Sequence, residues 1–120
     1  MTLQECYIQL GGNYDDVIRR LRSERLVTKF VLKFLDDGSC TLLLNSMEEK
    51  NYDEAFRAAH TIKGVCQNLS FTRLYEISGK LNEALRNGPT PEVPALVEDV
   101  KEEYQKTIDA IRAFKESGGL

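Results

Sequence analysis

The residues best suited to chemistry lie on one face of a predicted helix and centre on His60, the only histidine of the 120-residue chain. At about 100° per residue, side chains three or four positions apart share a face of a helix. Lys63 and Gly64 therefore lie one turn beyond His60, and Gln67 lies two turns beyond it. The opposite face is apolar and consists of Ala55, Ala58, Ala59, Ile62, Val65, Cys66 and Leu69. His60 is therefore predicted to face solvent.

Other residues of the outer face are candidates for contacting a partner: Asp53, Phe56, Arg57 and Gly64. Phe56 lies one turn before His60, and an exposed aromatic ring beside a functional group is typical of a docking contact. Gly64 costs about 1 kcal/mol relative to alanine in a helix interior. A glycine on the outward face is explained if atoms of another protein must approach the imidazole closely.

These residue types fit a histidine that accepts a phosphoryl group. A neutral imidazole nitrogen is a competent nucleophile near neutral pH. The phosphoryl group adds nearly two negative charges, which the Lys63 ammonium and the Gln67 amide could partly satisfy. The chain contains no Gly-x-x-x-x-Gly-Lys-Ser/Thr or Gly-x-Gly-x-x-Gly motif for nucleotide phosphates. We therefore expect a phosphocarrier without autonomous kinase activity.

Composition narrows the class of protein. Hydrophobic residues make up 42% and charged residues 29% of the chain, as in a folded globular protein. The net charge of −3 argues against binding to nucleic acid or to an anionic membrane surface. No apolar run approaches the roughly 20 residues of a membrane span, and the N-terminus does not resemble a secretory signal. The three widely spaced cysteines predict no metal site and favour reduced thiols in the cytoplasm.

Apolar spacing predicts helices from end to end. The predicted helices are 3–10, ending at Gly11–Gly12, then 14–23, 24–36, 40–50, 52–69 with Asn51 as its cap, 71–86, and a last helix that begins between residues 91 and 95. In the helix at 24–36, the predicted core-facing stripe is Leu26, Val27, Phe30, Val31, Phe34 and Leu35. Tyr52 and Phe71 could belong to the core or to its rim.

Short connections between long amphipathic helices predict an all-α protein, an antiparallel up-and-down four-helix bundle with short additional N-terminal helices. The single domain is predicted to span residues 1–120, with the bundle core at about 24–115. The tail, residues 116–120, is expected to fray.

The run from His60 to Leu69 closely resembles the signature of histidine-containing phosphotransfer (HPt) domains. That signature is His, any residue, an aliphatic residue, Lys, Gly, then small residues and an aliphatic residue. The likeness extends over about residues 3–115, through the turn at Gly11–Gly12 and the segment at 71–88. One departure is Ser70, where the family usually has glycine. In a tight turn, serine is expected to cost of order 1 kcal/mol.

The resemblance implies that His60 is phosphorylated and exchanges the group with aspartates of response-regulator receiver domains. Lys63 would stabilise the phosphoryl group, Gly64 would give access and Gln67 would assist. The implied partners are receiver domains, a hybrid sensor histidine kinase, or both. The chain would need no cofactor of its own, because the receiver would supply Mg²⁺. A monomer is expected.

Three other classes compete with this interpretation. A helical-bundle adaptor would bind a signalling partner with His60 as a bystander, and it predicts no acid-labile phosphohistidine. The dimerisation helix of a sensor kinase would have an acidic residue after the histidine and a proline soon afterwards, but Thr61 follows His60 and the next proline is Pro89. A metalloprotein is disfavoured by one histidine and scattered cysteines.

Overall fold

A computed structural model describes residues 1–118, and within that range the chain is all-α with no strand. The helices are α1 (Leu3–Leu10), α2 (Tyr14–Leu21), α3 (Glu24–Lys33) followed by a 3-10 turn (Phe34–Asp36), α4 (Ser39–Glu48), α5 (Tyr52–Leu69), α6 (Thr72–Leu85) and α7 (Val93–Glu116). Each predicted helix is present: α1 and α5 have the predicted ends, and α2, α3, α4 and α6 differ from the predicted ends by up to three residues. Residues 117–118 form a turn, and the predicted fraying of residues 119–120 lies outside the described part of the chain.

Side-chain caps explain where several helices begin. Thr2 caps α1 in a reciprocal capping box with Glu5. Asn13, Ser23 and Asn51 each accept a hydrogen bond from the third backbone N–H of the helix that follows, at α2, α3 and α5. The predicted cap of the helix that contains His60 is therefore confirmed, with Asn51 Oδ1 3.2 Å from the Glu54 amide nitrogen.

Helix α5 occupies the centre of the packing. It packs against α4 on one side and α6 on the other, while α7 packs against α6 and α1. Its inward face is buried and rich in alanine, at Ala55, Ala58, Ala59, Ile62, Cys66 and Leu69, whereas Val65 lies half-buried at the edge. Small side chains let neighbouring helices approach closely, so burial of this face fixes the rotation of α5 and leaves the opposite face outside.

The turn after α1 is hydrogen-bonded to the turn after α5. The Asn13 amide donates to the Ser70 carbonyl at 2.8 Å, and the Arg73 amide donates to the Gly11 carbonyl at 3.1 Å. A Cβ at Gly12 would lie 2.7 Å from the Tyr7 ring and 2.8 Å from the Ser70 carbonyl oxygen. Glycine is therefore required at position 12, because the two turns approach more closely than any side chain permits.

Aromatic side chains fill the space beneath these turns. Phe71 is fully buried and packs edge-on against Phe34, with ring centroids 5.2 Å apart, and also against Tyr7. The Tyr7 hydroxyl donates to the Leu69 carbonyl at 2.8 Å and so satisfies one of the last carbonyls of α5. Of the two aromatics left open by the sequence, Phe71 belongs to the core and Tyr52 is half-buried.

The prediction for the helix at 24–36 was wrong in two respects. Its last turn is 3-10, and Phe30 is 37% exposed instead of facing the core. Val27, Val31 and Phe34 are the buried members of the stripe, at i, i+4 and i+7. The apolar stripe is wider than the surface that neighbouring helices offer to α3, and Phe30 lies beyond that surface.

Two further properties concern the whole of the described chain. Cys6, Cys40 and Cys66 are buried free thiols, and burial raises the pKa of Cys6 and of Cys40 to about 11. Thiols with raised pKa values are poorly nucleophilic. Within residues 1–118, no helix has the length and the apolar character that crossing a membrane requires.

Gly12→Ala should lower the free energy of unfolding by about 1–3 kcal/mol, because the added methyl group must displace Tyr7 or the Ser70 backbone. Urea denaturation followed by circular dichroism measures this. Gly64→Ala is the matched control, since a Cβ at Gly64 has no neighbour within 4 Å, and it should raise stability by about 1 kcal/mol. Equal stability of wild type and Gly12→Ala would contradict the close contact.

Candidate functional site

His60 is exposed near the middle of α5, on the face opposite the alanine-rich buried side. Ala59 and Ile62, which flank it on the inward side, are 0% and 1% exposed, so α5 cannot rotate to bury the ring without exposing core. Among the described residues, no hydrogen bond to the imidazole is found. The imidazole is therefore exposed and free of hydrogen bonds to the described residues, so an incoming group can reach it.

Lys63 lies one turn from His60, and its aliphatic stem crosses α6 at Gly79. A Cβ placed on Gly79 would lie 3.9 Å from Cδ and from Cε of Lys63. Lys63 is half-buried although its charge belongs in water, since long cationic side chains bury their methylene groups on a neighbouring surface. An alanine at position 79 would make only ordinary van der Waals contact with this stem, so the lysine stem lies against α6 on the side of α5 where His60 lies, without a need for glycine there.

Gly64 has open space around it. A Cβ there would meet no other atom within 4 Å, so packing inside this chain does not require glycine. The helix nevertheless gives up about 1 kcal/mol relative to alanine. The described residues give no reason for glycine at position 64, which agrees with the expectation that atoms of another protein approach there.

The predicted partner-binding residues on the first half of α5 differ in their surroundings. Phe56 is half-buried, and the Arg86 guanidinium lies over its ring at 5.8 Å from the centroid. Arg57 pairs with Glu54 at 3.4 Å, and both side chains are at least partly exposed. Asp53 is exposed in the first turn of α5, where the positive end of the helix dipole stabilises a carboxylate.

Gln67 is exposed two turns beyond His60, and its backbone is held from outside the helix. The Arg20 guanidinium of α2 donates to the carbonyls of Gln67 and Asn68, each at 2.7 Å. These carbonyls lie in the last turn of α5, where carbonyls lack the usual helical donors, and the Gln67 carbonyl has one further donor, the Ser70 amide at 3.3 Å. Arg20 therefore caps the C-terminal end of the helix that carries His60.

Ser70 ends α5 in the left-handed conformation, with φ 57° and ψ 39°. That conformation favours glycine, as the family pattern implied. Here the serine hydroxyl donates to Asp16 Oδ2 at 2.7 Å, and Asp16 also pairs with Arg20. The hydrogen bond offsets part of the expected cost, and Ser70 leaves the outward face of α5 unchanged.

Other residues at the site were missed from the sequence. Asn82 of α6 is 2% exposed and donates to the Phe56 carbonyl at 3.1 Å, one turn before His60. A signal was present, because Ser78 and Asn82 continue the apolar stripe from Leu74 at four-residue spacing and interrupt it with polar groups. Gly79 also carried a signal, as a second glycine inside a helix.

Metal ligands are not grouped in this part of the protein. Within residues 1–118, no set of three or more His, Cys, Asp or Glu side chains lies close enough to hold a metal ion. The groups available around His60 are the imidazole, the Lys63 ammonium and the Gln67 amide, which suit an anionic group attached to the ring.

Comparison with known proteins places this chain in a family. The Hpt domain family matches residues 20–114, which is most of the chain. The chain therefore belongs to the Hpt domain family, whose members serve histidine phosphotransfer in two-component systems and interact there with receiver domains and kinases. Neither curated proteins nor solved structures give a significant match.

Removing the Asp16 carboxylate should change the acid side of the stability profile. The hydrogen bond from Ser70, and then the charges of Arg20 and Arg19, hold the pKa of Asp16 below its usual value. A depressed pKa contributes stability above the unfolded value of about 3.9, and that contribution is lost as the pH falls through the folded value. Asp16→Asn should therefore be less stable than wild type at pH 7, with a difference that shrinks below about pH 4.

Chemical denaturation from pH 7 to pH 3 measures this difference. Asp15→Asn, the exposed neighbour in the same first turn of α2, is the matched control because it lacks the contacts to Ser70 and Arg20. A difference for Asp16→Asn that is constant over the whole range would contradict the assigned network.

Proposed function

We propose that this protein carries a phosphoryl group on His60 and exchanges it with the aspartates of receiver domains in a two-component phosphorelay. The observation that supports this most directly is the exposed His60 on α5, with Lys63, Gly64 and Gln67 on the same side of the helix, in a chain of the Hpt domain family. Family membership supplies the type of reaction, and the exposed face supplies the residues.

In the proposed step, a neutral imidazole nitrogen of His60 attacks the phosphorus of an aspartyl phosphate. The P–N bond forms as the P–O bond breaks, and the electron pair leaves with the aspartate as a carboxylate. The reverse step returns the group to the same or another aspartate. Lys63 offsets the charge of the phosphoryl group, and Gln67 offers an amide donor nearby. Catalysis then rests on positioning and electrostatics, as in phosphoryl transfer generally.

In this proposal, the partner supplies the groups that transfer needs and that this chain lacks. A receiver domain supplies the aspartate and the Mg²⁺, and a hybrid sensor histidine kinase is the further candidate partner. Contacts to the partner come from Asp53, Phe56, Arg57 and Gly64. We further propose a monomer in the cytoplasm, a location supported by the three unpaired cysteines.

The proposed architecture behind this face is an antiparallel four-helix bundle of α4, α5, α6 and α7, with the shorter helices attached. The packing of α5 between α4 and α6, and of α7 against α6 and α4, supports it. Two packed helices joined by only a few residues, as α5 and α6 are, run in opposite directions.

Intact mass spectrometry at neutral pH tests the phosphocarrier directly. Wild type incubated with phosphorylated receiver domains should gain one phosphoryl group, which brief acid treatment removes, and His60→Gln should gain none. Thr61→Ala is the neighbouring control and should be labelled like wild type. A folded wild-type protein that several phosphorylated receivers leave unlabelled would favour the non-catalytic adaptor instead.

Gly64→Ala should separate stability from transfer. The added methyl group stabilises the helix by about 1 kcal/mol. It also projects from the His60 face one turn from the imidazole, where it would hold a docked receiver away, and should slow phosphoryl transfer by tenfold or more, since roughly 1 Å of misplacement costs about 10²-fold. Initial rates of labelling measure this. Thr61→Ala is the control, because it also improves helix propensity but adds no atom beside Gly64, and it should transfer like wild type. Unchanged transfer by Gly64→Ala would mean that close approach is not needed there.

A further inference from the structure

The two sides of the His60 face differ. On one side lies α6, which contacts the Lys63 stem through Gly79 and the Phe56 carbonyl through Asn82. On the other side lies α3, which shares a groove with Val65 and Asn68 of α5. A partner that reaches His60 can therefore extend its contact over α6 or over α3.

The groove between α3 and the second half of α5, called here the α3–α5 groove, has a volume of about 540 Å³. Its apolar lining includes Leu21, Phe30, Val65 and Leu69, and the Phe30 ring is 37% exposed. Full burial of a phenylalanine is worth roughly 1.5–3 kcal/mol, and the folded chain leaves part of that unused. The groove can accept an apolar side chain from outside.

Basic residues concentrate beside this groove. Residues 19–33 contain six of the 16 Lys and Arg residues and one of the 19 Asp and Glu residues, although the whole chain has a net charge of −3. Lys33 and Arg20 line the groove, and within residues 1–118 no carboxylate lies within 4.0 Å of the Lys33 ammonium.

Two acidic residues, Asp36 and Asp37, also line the groove. The Asp37 carboxylate accepts hydrogen bonds from Ser39 and Tyr104, which reduces the negative charge that it offers to the groove.

The α6 side offers less to a partner. Arg86 is already paired with Glu83 at 3.0 Å, and its guanidinium covers the Phe56 ring. Because the Arg86 guanidinium already covers the Phe56 ring, a partner gains less from contacting Phe56 than from contacting a ring that no side chain covers.

Lys80 of α6 is exposed and also has no ion-pair partner within residues 1–118, but the aromatic ring of α6, Tyr75, is half-buried. On the α3 side, an exposed aromatic ring and an unpaired cation, Phe30 and Lys33, line the same groove.

The groove also lies within reach of a partner that engages His60. Val65 and Asn68 lie about 7.5 Å and about 12 Å along the axis from His60, at 1.5 Å per residue. A standard interface covers about 800 Å² on each partner, equivalent to a disc of about 16 Å radius. A partner seated over His60 therefore covers the α3–α5 groove whenever its contact extends towards α3.

We infer that the phosphoryl partner docks on the α3 side of His60, with an apolar side chain in the α3–α5 groove and carboxylates beside Lys33. This inference rests on the proposed function, because the partner's chemistry is taken from it. A domain that offers an aspartate and holds Mg²⁺ must gather carboxylates around its acceptor, since Mg²⁺ prefers oxygen ligands. An acidic surface of that kind is complementary to the basic segment at residues 19–33 and is repelled by the acidic remainder of the chain.

The test uses the receiver domain that labels wild type fastest, and it measures KM and kcat of transfer. Phe30→Ala should raise the KM for the receiver about tenfold, as expected for an anchor residue of an interface, and Lys33→Glu should raise it by a similar factor. In both variants kcat should change less than threefold, because neither side chain is assigned to the chemistry. The wild-type KM should rise with salt, and that of Lys33→Glu should rise less.

Each variant has a matched control elsewhere on the surface. Ile8→Ala truncates an apolar side chain that is 72% exposed on α1, and Lys101→Glu makes the same charge change on exposed α7. Both should transfer like wild type. If Phe30→Ala and Lys33→Glu also behave like wild type while wild type is labelled, the docking inference is wrong and the phosphocarrier function stands.

If no receiver labels wild type, a binding measurement still tests the docking inference. Nuclear magnetic resonance of ¹⁵N-labelled protein is then recorded with the same unphosphorylated receivers. Shifts that concentrate at Leu21, Phe30 and Val65 would support docking at the α3–α5 groove and would remove only the phosphocarrier role. Shifts confined to α6, or no shifts with any receiver, would overturn the docking inference.

Discussion

The position of the His60 face depends on the contact between the turn after α1 and the turn after α5. Two backbone hydrogen bonds, from Asn13 to Ser70 and from Arg73 to Gly11, join segments that are about 60 residues apart in sequence. Gly12 permits the approach because a Cβ there would collide with the Ser70 carbonyl. The contact fixes the C-terminal end of α5 in space, and a rigid helix transmits that position back to His60 two to three turns away.

The same junction solves an electrostatic problem at the end of α5. The last carbonyls of a helix have no intrahelical donor, and they form the negative end of its dipole. Tyr7 donates to the Leu69 carbonyl, and Arg20 donates to those of Gln67 and Asn68. A phosphorylated His60 would add further negative charge to this helix. Arg20 places a fixed positive charge at the C-terminal end of α5, where the helix dipole is unfavourable to additional negative charge.

The sequence predicted the parts of the site that follow from periodicity. Helix α5 has the predicted bounds, Asn51 caps it, and His60 is exposed because the alanine-rich face fills the core. Contacts between distant segments could not be predicted in this way. Nothing in the spacing of Arg20 indicates that its guanidinium reaches a helix end 47 residues later.

Phe30 and Asn82 illustrate the same limit in opposite directions. A stripe of apolar residues predicts which face of a helix turns towards the core. How much of that face is buried depends on which helices pack against it, and Phe30 is partly exposed for this reason. Asn82 interrupts an apolar stripe and is nonetheless buried, because the Phe56 carbonyl offers its amide a partner. Propensity is local, whereas burial and hydrogen-bond satisfaction are properties of the assembled helices.

A division of labour between the two faces of α5 follows from these contacts. The inward face is made of small side chains and tolerates little change, since closely packed helices respond to even one added methylene group. The outward face has an imidazole without a hydrogen-bond partner among the described residues, a lysine whose stem lies beside Gly79, and a glycine, Gly64, with empty space beside it. A carrier must release what it accepts, and a site that held the phosphoryl group with many fixed donors would make the return step slow. Sparse support on a rigid helix therefore suits transfer in both directions better than a closed pocket would.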